Sequence, residues 1–493
     1  MSATASANDA EPFDAIVIGA GQAGPGVATH LVGQGKRVAL VEMDKVGGTC
    51  LNRGCRPTKA LRASARVAHL ARTAARHGVH AGPVTVDFAA VMARKDVLID
   101  GWQHGYADSL EHTDGLDMIY GTARFVGTDD AGDGRLRHVV AVGDRSLVAP
   151  HVFVNVGTRS TVPAILGLDP ALGDVVPWLD NDRVLHLDSL PEHLVILGGS
   201  YIGLELGQLF ARLGSAVTIV ERGERIASRE DSEISDAIAR FLTDEGIDIR
   251  TGAAVERVSV TDGVIRVDIS ADPSTPSRTG GEHIAGTHLL VAIGRTPNTD
   301  TLDLDAVGVE TDGRGFVPTD GVFRTNVEGI WALGDINGRG AFTHTSYQDY
   351  EILVDHLDGG SRSVDSRIPT YAMFTDPPLG RVGMSDREAR RSGRNVLKAT
   401  YPMSDVTRAK LDGETAGLVN LLVDADTERL LGASVLGLSG DEIVQIVSAL
   451  MHADASCHVL KDMLPIHPTV AEFFPTILGA LEPLTPDEGA AAG

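Results

Sequence analysis

The sequence predicts an α/β protein with two parallel-sheet βαβ units and a separate α+β domain after them. Three observations predict it. A glycine-rich turn between an apolar strand and a small-residue helix occurs twice, opening at Gly19 and at Gly198. In both copies an acidic residue lies 23 positions beyond the first glycine (42 − 19 and 221 − 198). From about Arg367 onward the pattern changes to mixed strands with two amphipathic helices, near Gly440 to Ala453 and Thr469 to Leu481, so the tail reads as a domain of its own. A chain of 493 residues also exceeds what one hydrophobic core sustains, and at roughly 100 to 200 residues per domain it should hold several.

The elements follow in order. Met1 to Glu11 is small and polar without an apolar stretch, which reads as a frayed tail and not a secretory signal. Ala15 to Ile18 is the first strand. Gly19 permits the tight strand-to-helix turn, Gly21 lets backbone approach a pyrophosphate, and Gly24 allows the helix to pack closely. Val38 to Glu42 is the next strand, with Glu42 placed to accept from a ribose. The phosphates would sit at the helix N-terminus, where free N–H groups and the helix dipole favour an anion. A strand bounded by Gly157 follows at Val152 to Val156. The second copy runs from Leu194 to Leu197, through Gly198, Ser200, Tyr201 and Gly203, along a helix to Leu213, and out to Glu221. Ser200 stands where the first copy has its middle glycine, so approach to the phosphate is looser or is aided by the hydroxyl. Residues 271–281, rich in Pro, Ser, Thr and Gly, read as a surface hairpin or insertion. Leu289 to Ile293, closed by Gly294, returns the chain to the first unit. Two Rossmann-like units imply two bound dinucleotides.

Composition narrows the function. Lys and Arg total 43 against 67 Asp and Glu, a net charge of −24, so neither nucleic acid nor an anionic membrane is an expected partner. No apolar run reaches the length of about 18 residues that a spanning helix needs, and the expected location is the cytoplasm. Three cysteines cannot form a disulfide framework. In a reducing compartment the two that lie close together, Cys50 and Cys55, read as catalytic or metal-binding. No second Cys/His pair with zinc spacing accompanies them, so no metal site is expected. Pro57 fits only the first turn of the helix that follows, which puts both sulfurs near a helix N-terminus. With Arg53, Arg56 and Lys59 nearby, that location favours thiolate and lowers the cysteine pKa. Cys457 reads as a buried structural thiol.

The run Gly47 to Lys59 (GGTCLNRGCRPTK), taken with both nucleotide motifs, resembles the class I pyridine nucleotide-disulfide oxidoreductases, which include dihydrolipoamide dehydrogenase, glutathione reductase and mercuric reductase. The resemblance covers residues 13 to 482. It implies FAD in the first unit, held by Gly19, Gly21, Gly24, Glu42, Gly48, Thr49, Lys59 and Gly157. Thr325 to Asp335 resembles the second FAD motif of that family, with Asp335 on the ribityl chain. The second unit would hold NAD(P) through Gly198, Ser200, Tyr201, Gly203, Glu221 and Gly294. The implied chemistry passes a hydride from nicotinamide to the flavin once Tyr201 swings aside, with Lys59, paired to Glu205, stabilising the reduced flavin. Cys55 would be the flavin-proximal sulfur, and Cys50 the exposed sulfur that exchanges with substrate through a mixed disulfide. His467, oriented by Glu472 and supplied by the other subunit of a homodimer with a shared active site, would be the acid and base of that exchange. His344 is assigned no chemistry. The implied domains are FAD-binding at 1–160, NAD(P)-binding at 161–290, a second FAD-binding or central part at 291–365 and dimerisation at 366–493.

Glu221 at the ribose position favours NADH, since a carboxylate there repels a 2′-phosphate, although Arg222 and Arg225 follow it directly. The expected function is an NAD(P)H:disulfide oxidoreductase acting on a small disulfide or dithiol. Tyr347 to Tyr350 and Asp376 to Gly383 look closest to a bacterial group often labelled mercuric-reductase-like, so a soft-metal reductase is one alternative. A diaphorase, a redox sensor or a component of a multienzyme complex is the other. The expectation departs from true mercuric reductase in having no cysteine pair before Cys50 and no vicinal cysteines after Leu481. It departs from dihydrolipoamide dehydrogenase at Pro465 and Ile466, where a second histidine is usual. Arg53 and Arg56 hint at an anionic disulfide.

Overall fold

A computed structural model describes residues 10–130, 136–270 and 282–484. The hairpin expected at 271–281 and the first nine residues of the N-terminal tail lie outside these. The chain divides into two compact units, one built from 1–61, 90–161 and 294–367, the other from 62–89, 162–293 and 368–493.

The first unit centres on five parallel strands in the order Ile330–Ala332, His151–Val154, Ala15–Ile18, Val38–Glu42 and Leu116–Tyr120. Ala15 lies opposite Val38 on one side and His151 on the other. Ala15–Ile18 is apolar at every position and Val38–Glu42 at every position before its terminal Glu42, because both faces are covered, as parallel sheets require. Ile16, Ile18, Ala39 and Val41 enter one core, and Val17, Val38 and Leu40 enter the other, with Val27 and Leu31 of the helix Gly24–Gly33. Phe153 and Trp331 stack in that second core with centroids 4.8 Å apart. A four-stranded sheet formed by Glu11–Pro12, Arg145–Ala149, Leu136–Val142 and Ala123–Asp130 completes the unit, with the short pair Thr158–Ser160 and Arg295–Pro297.

The second unit repeats the parallel arrangement with Asp248–Arg250, Ala216–Val220, His193–Leu197 and His288–Val291. A three-stranded antiparallel sheet follows at Ala254–Thr261, Val264–Ser270 and Glu282–Gly286. Its C-terminal part is a six-stranded antiparallel sheet running from Thr370–Met373 to Glu482–Pro483, covered by the helix Gly440–His452. Cys457 is buried in that core, as expected. One expected element is different. In place of a helix over Thr469 to Leu481 the chain makes a turn of 3-10 helix at Ala471–Phe473 and the short helix Phe474–Leu478. Pro475 is the reason, since a proline has no N–H to give and fits only the first turn of a helix.

Candidate active site

In the first unit the glycine turn is backbone packed on backbone. Gly19 has φ +102°, and a Cβ there would lie 2.4 Å from the Asn155 carbonyl oxygen. One on Gly24 would lie 2.0 Å from the Gly19 carbonyl oxygen, and one on Gly48 2.9 Å from the Gly21 Cα. Thr49 follows directly on the short helix Gly48–Arg53. Glu42, at its strand end, accepts from the Ala20 N–H at 2.8 Å and the Asp44 N–H at 2.9 Å. The second unit repeats the bonding. Gly198 has φ +106°, a Cβ on Gly203 would lie 2.1 Å from the Gly198 carbonyl oxygen, and Glu221 accepts from the Gly199 and Gly223 N–H groups at 2.7 Å each. Ser200 is the N-cap of the helix Tyr201–Leu213. Two carboxylates are thus held by the same pair of backbone donors at equivalent positions.

Sequence reading did not find Asn155, which joins the turn to the second motif. Its side chain accepts from the Gly24 N–H at 3.0 Å and donates to the Leu333 carbonyl at 2.8 Å. Two residues on, Gly157 takes φ +65°. Asp335 accepts from the Thr158 hydroxyl at 3.1 Å, and burial pushes its carboxyl above the usual range. Bare glycine turns, a ribose-position carboxylate and a buried carboxylate suited to hydroxyl donors together fit a flavin dinucleotide.

Cys50 lies in the helix Gly48–Arg53, and Cys55 is the first residue of the helix Cys55–Thr73. Neither is joined in a disulfide, and Cys50 is partly buried while Cys55 is exposed, the reverse of the expectation that Cys50 is the exposed sulfur, because Cys50 lies inside the short helix and Cys55 opens the next one. They are hydrogen-bonded to each other. That bond, then burial, pushes the Cys50 thiol well above the usual range, so the lowering expected from helix and arginines does not hold for Cys50. The physical reason is that a thiolate at Cys50 would lose the hydrogen bond to its neighbour and stand in a partly buried place, so its neutral form is favoured. The Thr343 Oγ1, which the sequence reading passed over, lies 3.2 Å from the Cys55 Sγ and is supplied by the first residue of the helix Thr343–Leu357. His344 beside it stacks on Phe342. Lys59 is carried on the same helix as Cys55.

In the second unit Glu205 accepts from the Phe374 N–H at 2.7 Å. The Tyr201 hydroxyl donates to Glu230 at 2.5 Å, as does that of Tyr371 at 2.9 Å, and burial, then the Glu230 charge, pushes the Tyr201 phenol well up. Arg381 closes this network by donating to Glu230 at 2.9 Å. Gly294, at φ +152°, lies three residues beyond the strand His288–Val291, where the chain re-enters the first unit. His467 and Glu472 are brought together, Nδ1 to Oε2 at 2.8 Å, with the imidazole largely exposed and the carboxylate mostly covered. Among the described residues no group of His, Cys, Asp and Glu forms a metal site, and no helix is long and apolar enough to cross a membrane.

Comparison with known proteins agrees with this geometry. Residues 13–349 match the family described as pyridine nucleotide-disulphide oxidoreductase, and residues 369–477 match its dimerisation domain, which supports a homodimer. The chain is 35% identical over 467 residues to the probable pyridine nucleotide-disulfide oxidoreductase RclA of Escherichia coli, covering 93% of this chain and 97% of that one. It is 33% identical to a dihydrolipoyl dehydrogenase of Halobacterium salinarum (93% and 94%) and 31% to a mercuric reductase of Lysinibacillus sphaericus (93% and 81%). The solved structure of the HOCl-induced flavoprotein disulfide reductase RclA from Escherichia coli superposes with a TM-score of 0.82 at 34% identity, covering 95% of this chain and 99% of that one. The repeated nucleotide turns, the paired thiols and these matches lead to one conclusion: the chain belongs to the pyridine nucleotide-disulphide oxidoreductase family and is a flavoenzyme that uses FAD and a pyridine nucleotide.

Proposed function

We propose that this enzyme takes electrons from NADH and delivers them through the Cys50 and Cys55 thiols to a small disulfide, or runs the reverse reaction on a dithiol, in the cytoplasm. The observation that carries the reading is the hydrogen-bonded thiol pair at the start of two helices, in a chain with two dinucleotide turns. FAD, when bound, supplies two-electron exchange between nicotinamide and dithiol. Gly19, Gly21, Gly24, Glu42, Gly48, Thr49, Lys59, Gly157 and Asp335 are assigned to holding it, and Gly198, Ser200, Tyr201, Gly203, Glu221 and Gly294 to the nicotinamide nucleotide. Cys55, which opens the helix that also carries Lys59, is assigned the flavin side and Cys50 the exchange with substrate. His467, held by Glu472, moves the proton of that exchange, and in a homodimer it serves the partner's thiols. Lys59 and Glu205 are assigned as a pair near the flavin. The layout that goes with these roles is 1–160 and 291–365 for FAD, 161–290 for the nucleotide and 366–493 for dimerisation.

NADH is preferred because both oxygens of Glu221 are fixed by backbone N–H groups, which holds a negative charge where a 2′-phosphate would lie, and because Arg225 is already paired with Asp236. The test is anaerobic titration of the FAD-loaded protein with NADH and with NADPH. The expected result is a long-wavelength thiolate charge-transfer band near two-electron reduction, reached at lower NADH than NADPH. Bleaching without that band would exclude the disulfide reading and leave a diaphorase or sensor.

A second reading has two observations in its favour: the similarity to mercuric reductases, and a solved Cu(II) complex of the Escherichia coli RclA that this chain superposes on with a TM-score of 0.82. Adjacent thiols bind soft metals as readily as they exchange with disulfides. Metal-stimulated NADH oxidation that outruns every disulfide tested would favour it.

A further inference from the structure

Arg53 and Arg56 look alike in the sequence, but their surroundings differ. Arg53 is paired with Asp44. Arg56 is exposed and has no carboxylate partner among the described residues, and its guanidinium lies over the Trp102 ring, 5.1 Å from the centroid. Trp102 and Tyr106 are four apart on the helix Phe88–Glu111 and so share a face. Trp102 is 46% exposed and Tyr347 50%, and Tyr347 meets Tyr350 edge-on at 5.4 Å. The Tyr350 ring in turn packs on Gly26, where a Cβ would come within 2.9 Å of it. Burial pushes the Tyr106 phenol up, with the Arg56 charge pulling it back and Tyr347 adding to the rise, so both lie within electrostatic range of Tyr106. The Cys50 thiol, raised by its bond to Cys55 and by burial, is drawn back down by Thr343 and by Arg56. A guanidinium without a carboxylate partner, resting on the Trp102 ring, therefore stands next in sequence to Cys55 and within electrostatic reach of Cys50.

We propose that Arg56, seated on Trp102 beside Tyr106 and Tyr347, recognises the substrate, and that the substrate is a small disulfide bearing a carboxylate close to its sulfurs. The inference rests on the reading of Cys50 and Cys55 as the exchange pair. Arg56 is suited to it because a guanidinium takes a carboxylate with two parallel hydrogen bonds while its face stays stacked. The exposed parts of Trp102 and Tyr347 offer flat apolar surface to the rest of the molecule. In the reaction one cysteine thiolate attacks a substrate sulfur, the substrate S–S bond breaks and the first thiolate leaves. The second cysteine then attacks the mixed disulfide, closing the Cys50–Cys55 bond and releasing the second thiolate. The enzyme dithiol loses two electrons, the substrate gains them, and reduced nicotinamide restores them.

The test uses the full FAD-loaded protein, reduced with dithiothreitol, desalted anaerobically and mixed with disulfides in the absence of nicotinamide. The probes are 5,5′-dithiobis(2-nitrobenzoate), which is anionic and aromatic, 4,4′-dithiodipyridine, which is neutral and aromatic, and cystamine, which is cationic. In Arg56→Gln the ratio of the anionic to the neutral rate constant should fall by roughly 3- to 10-fold at low salt, the range of a partly exposed charge-assisted contact, and the cystamine rate should rise relative to both. Salt should bring wild type and variant together. Trp102→Ala should lower both aromatic rates relative to cystamine. An unchanged ratio, with all three rates falling together, would overturn the proposal and leave Arg56 acting only on thiol acidity. If the wild-type dithiol reacts with none of the probes faster than free cysteine does, the exchange reading itself fails, whatever the ratio.

Discussion

Replacing Glu230 should destabilise the second unit more than any other single change in its polar network. The side chain of Glu230 is fully buried, and it accepts from Tyr201, Tyr371 and Arg381. Arg381 is itself only 3% exposed, and its other carboxylate contact is Asp231 at 3.3 Å. Its Nη2 is buried and has no hydrogen-bond partner among the described residues, so this guanidinium is already short of acceptors. Glu230→Ala removes three accepted hydrogen bonds at once and leaves a buried cation leaning on Asp231. Removing one partner of a buried pair typically costs about 3–5 kcal/mol. Glu230→Gln keeps the shape and one acceptor oxygen but loses the charge, so the cost should fall to about 1.5–3 kcal/mol, the worth of a hydrogen bond to a charged group. Tyr371→Phe deletes one donor and leaves the carboxylate with two, at about 1 kcal/mol. The assay is urea unfolding of FAD-saturated protein at one fixed concentration, because cofactor and subunit binding both shift apparent stability. The expected order of loss is Tyr371→Phe, then Glu230→Gln, then Glu230→Ala. A loss under about 1 kcal/mol for Glu230→Ala, or equal losses for all three, would refute the reasoning that the carboxylate is the centre of the network.

Cys50→Ser and Cys55→Ser should each keep the yellow colour of bound FAD and lose disulfide turnover, while electron transfer to a small quinone or dye persists; equal loss of both activities would point to cysteines that support flavin binding instead. Gly203→Ala would put a Cβ 2.1 Å from the Gly198 carbonyl oxygen and 3.3 Å from Ile196, so it should lower stability by about 1–3 kcal/mol, whereas Gly33→Ala, with nothing within 4 Å of its Cβ, should raise it by about 0.5–1 kcal/mol. Urea midpoints of the two variants measure the contrast directly. His138 is buried with Nε2 on the Glu328 carbonyl, and burial holds its imidazole below the ordinary value. In the unfolded chain it titrates near about 6.5, so below that pH the unfolded state takes up a proton that the folded state refuses. Its contribution is complete above that value and is lost as the pH falls towards the lower folded one. Between pH values of about 7.5 and 5.5, wild type should therefore lose more stability than His138→Gln, and a larger loss in the variant would reverse the sign of the argument.

What could be read from the sequence was local, and what could not was held together by long separations in the chain. Gly19 and Gly198 are legible because a tight turn after an apolar strand demands residues that tolerate positive φ, and both take it. Glu42 and Glu221 are legible because a helix and a strand of fixed rise put them at one distance from those turns. His467 and Glu472, five positions apart, meet within one turn of chain. Asn155 and Thr343, by contrast, reach partners 131 and 288 positions away, and Arg381 meets Glu230 across 151. No periodicity carries such pairings, since an Asn after a strand or a Thr opening a helix is ordinary on its own. The same limit applies to substrate choice. Arg53 and Arg56 are two arginines on one loop until Asp44 is seen to neutralise the first and Trp102 to seat the second. The thiol pair Cys50 and Cys55 was legible because two cysteines five positions apart before a proline are brought together where one short helix gives way to the next. The different surroundings of Arg53 and Arg56 were not, because which surface charge the fold leaves unpaired is decided only when distant segments pack.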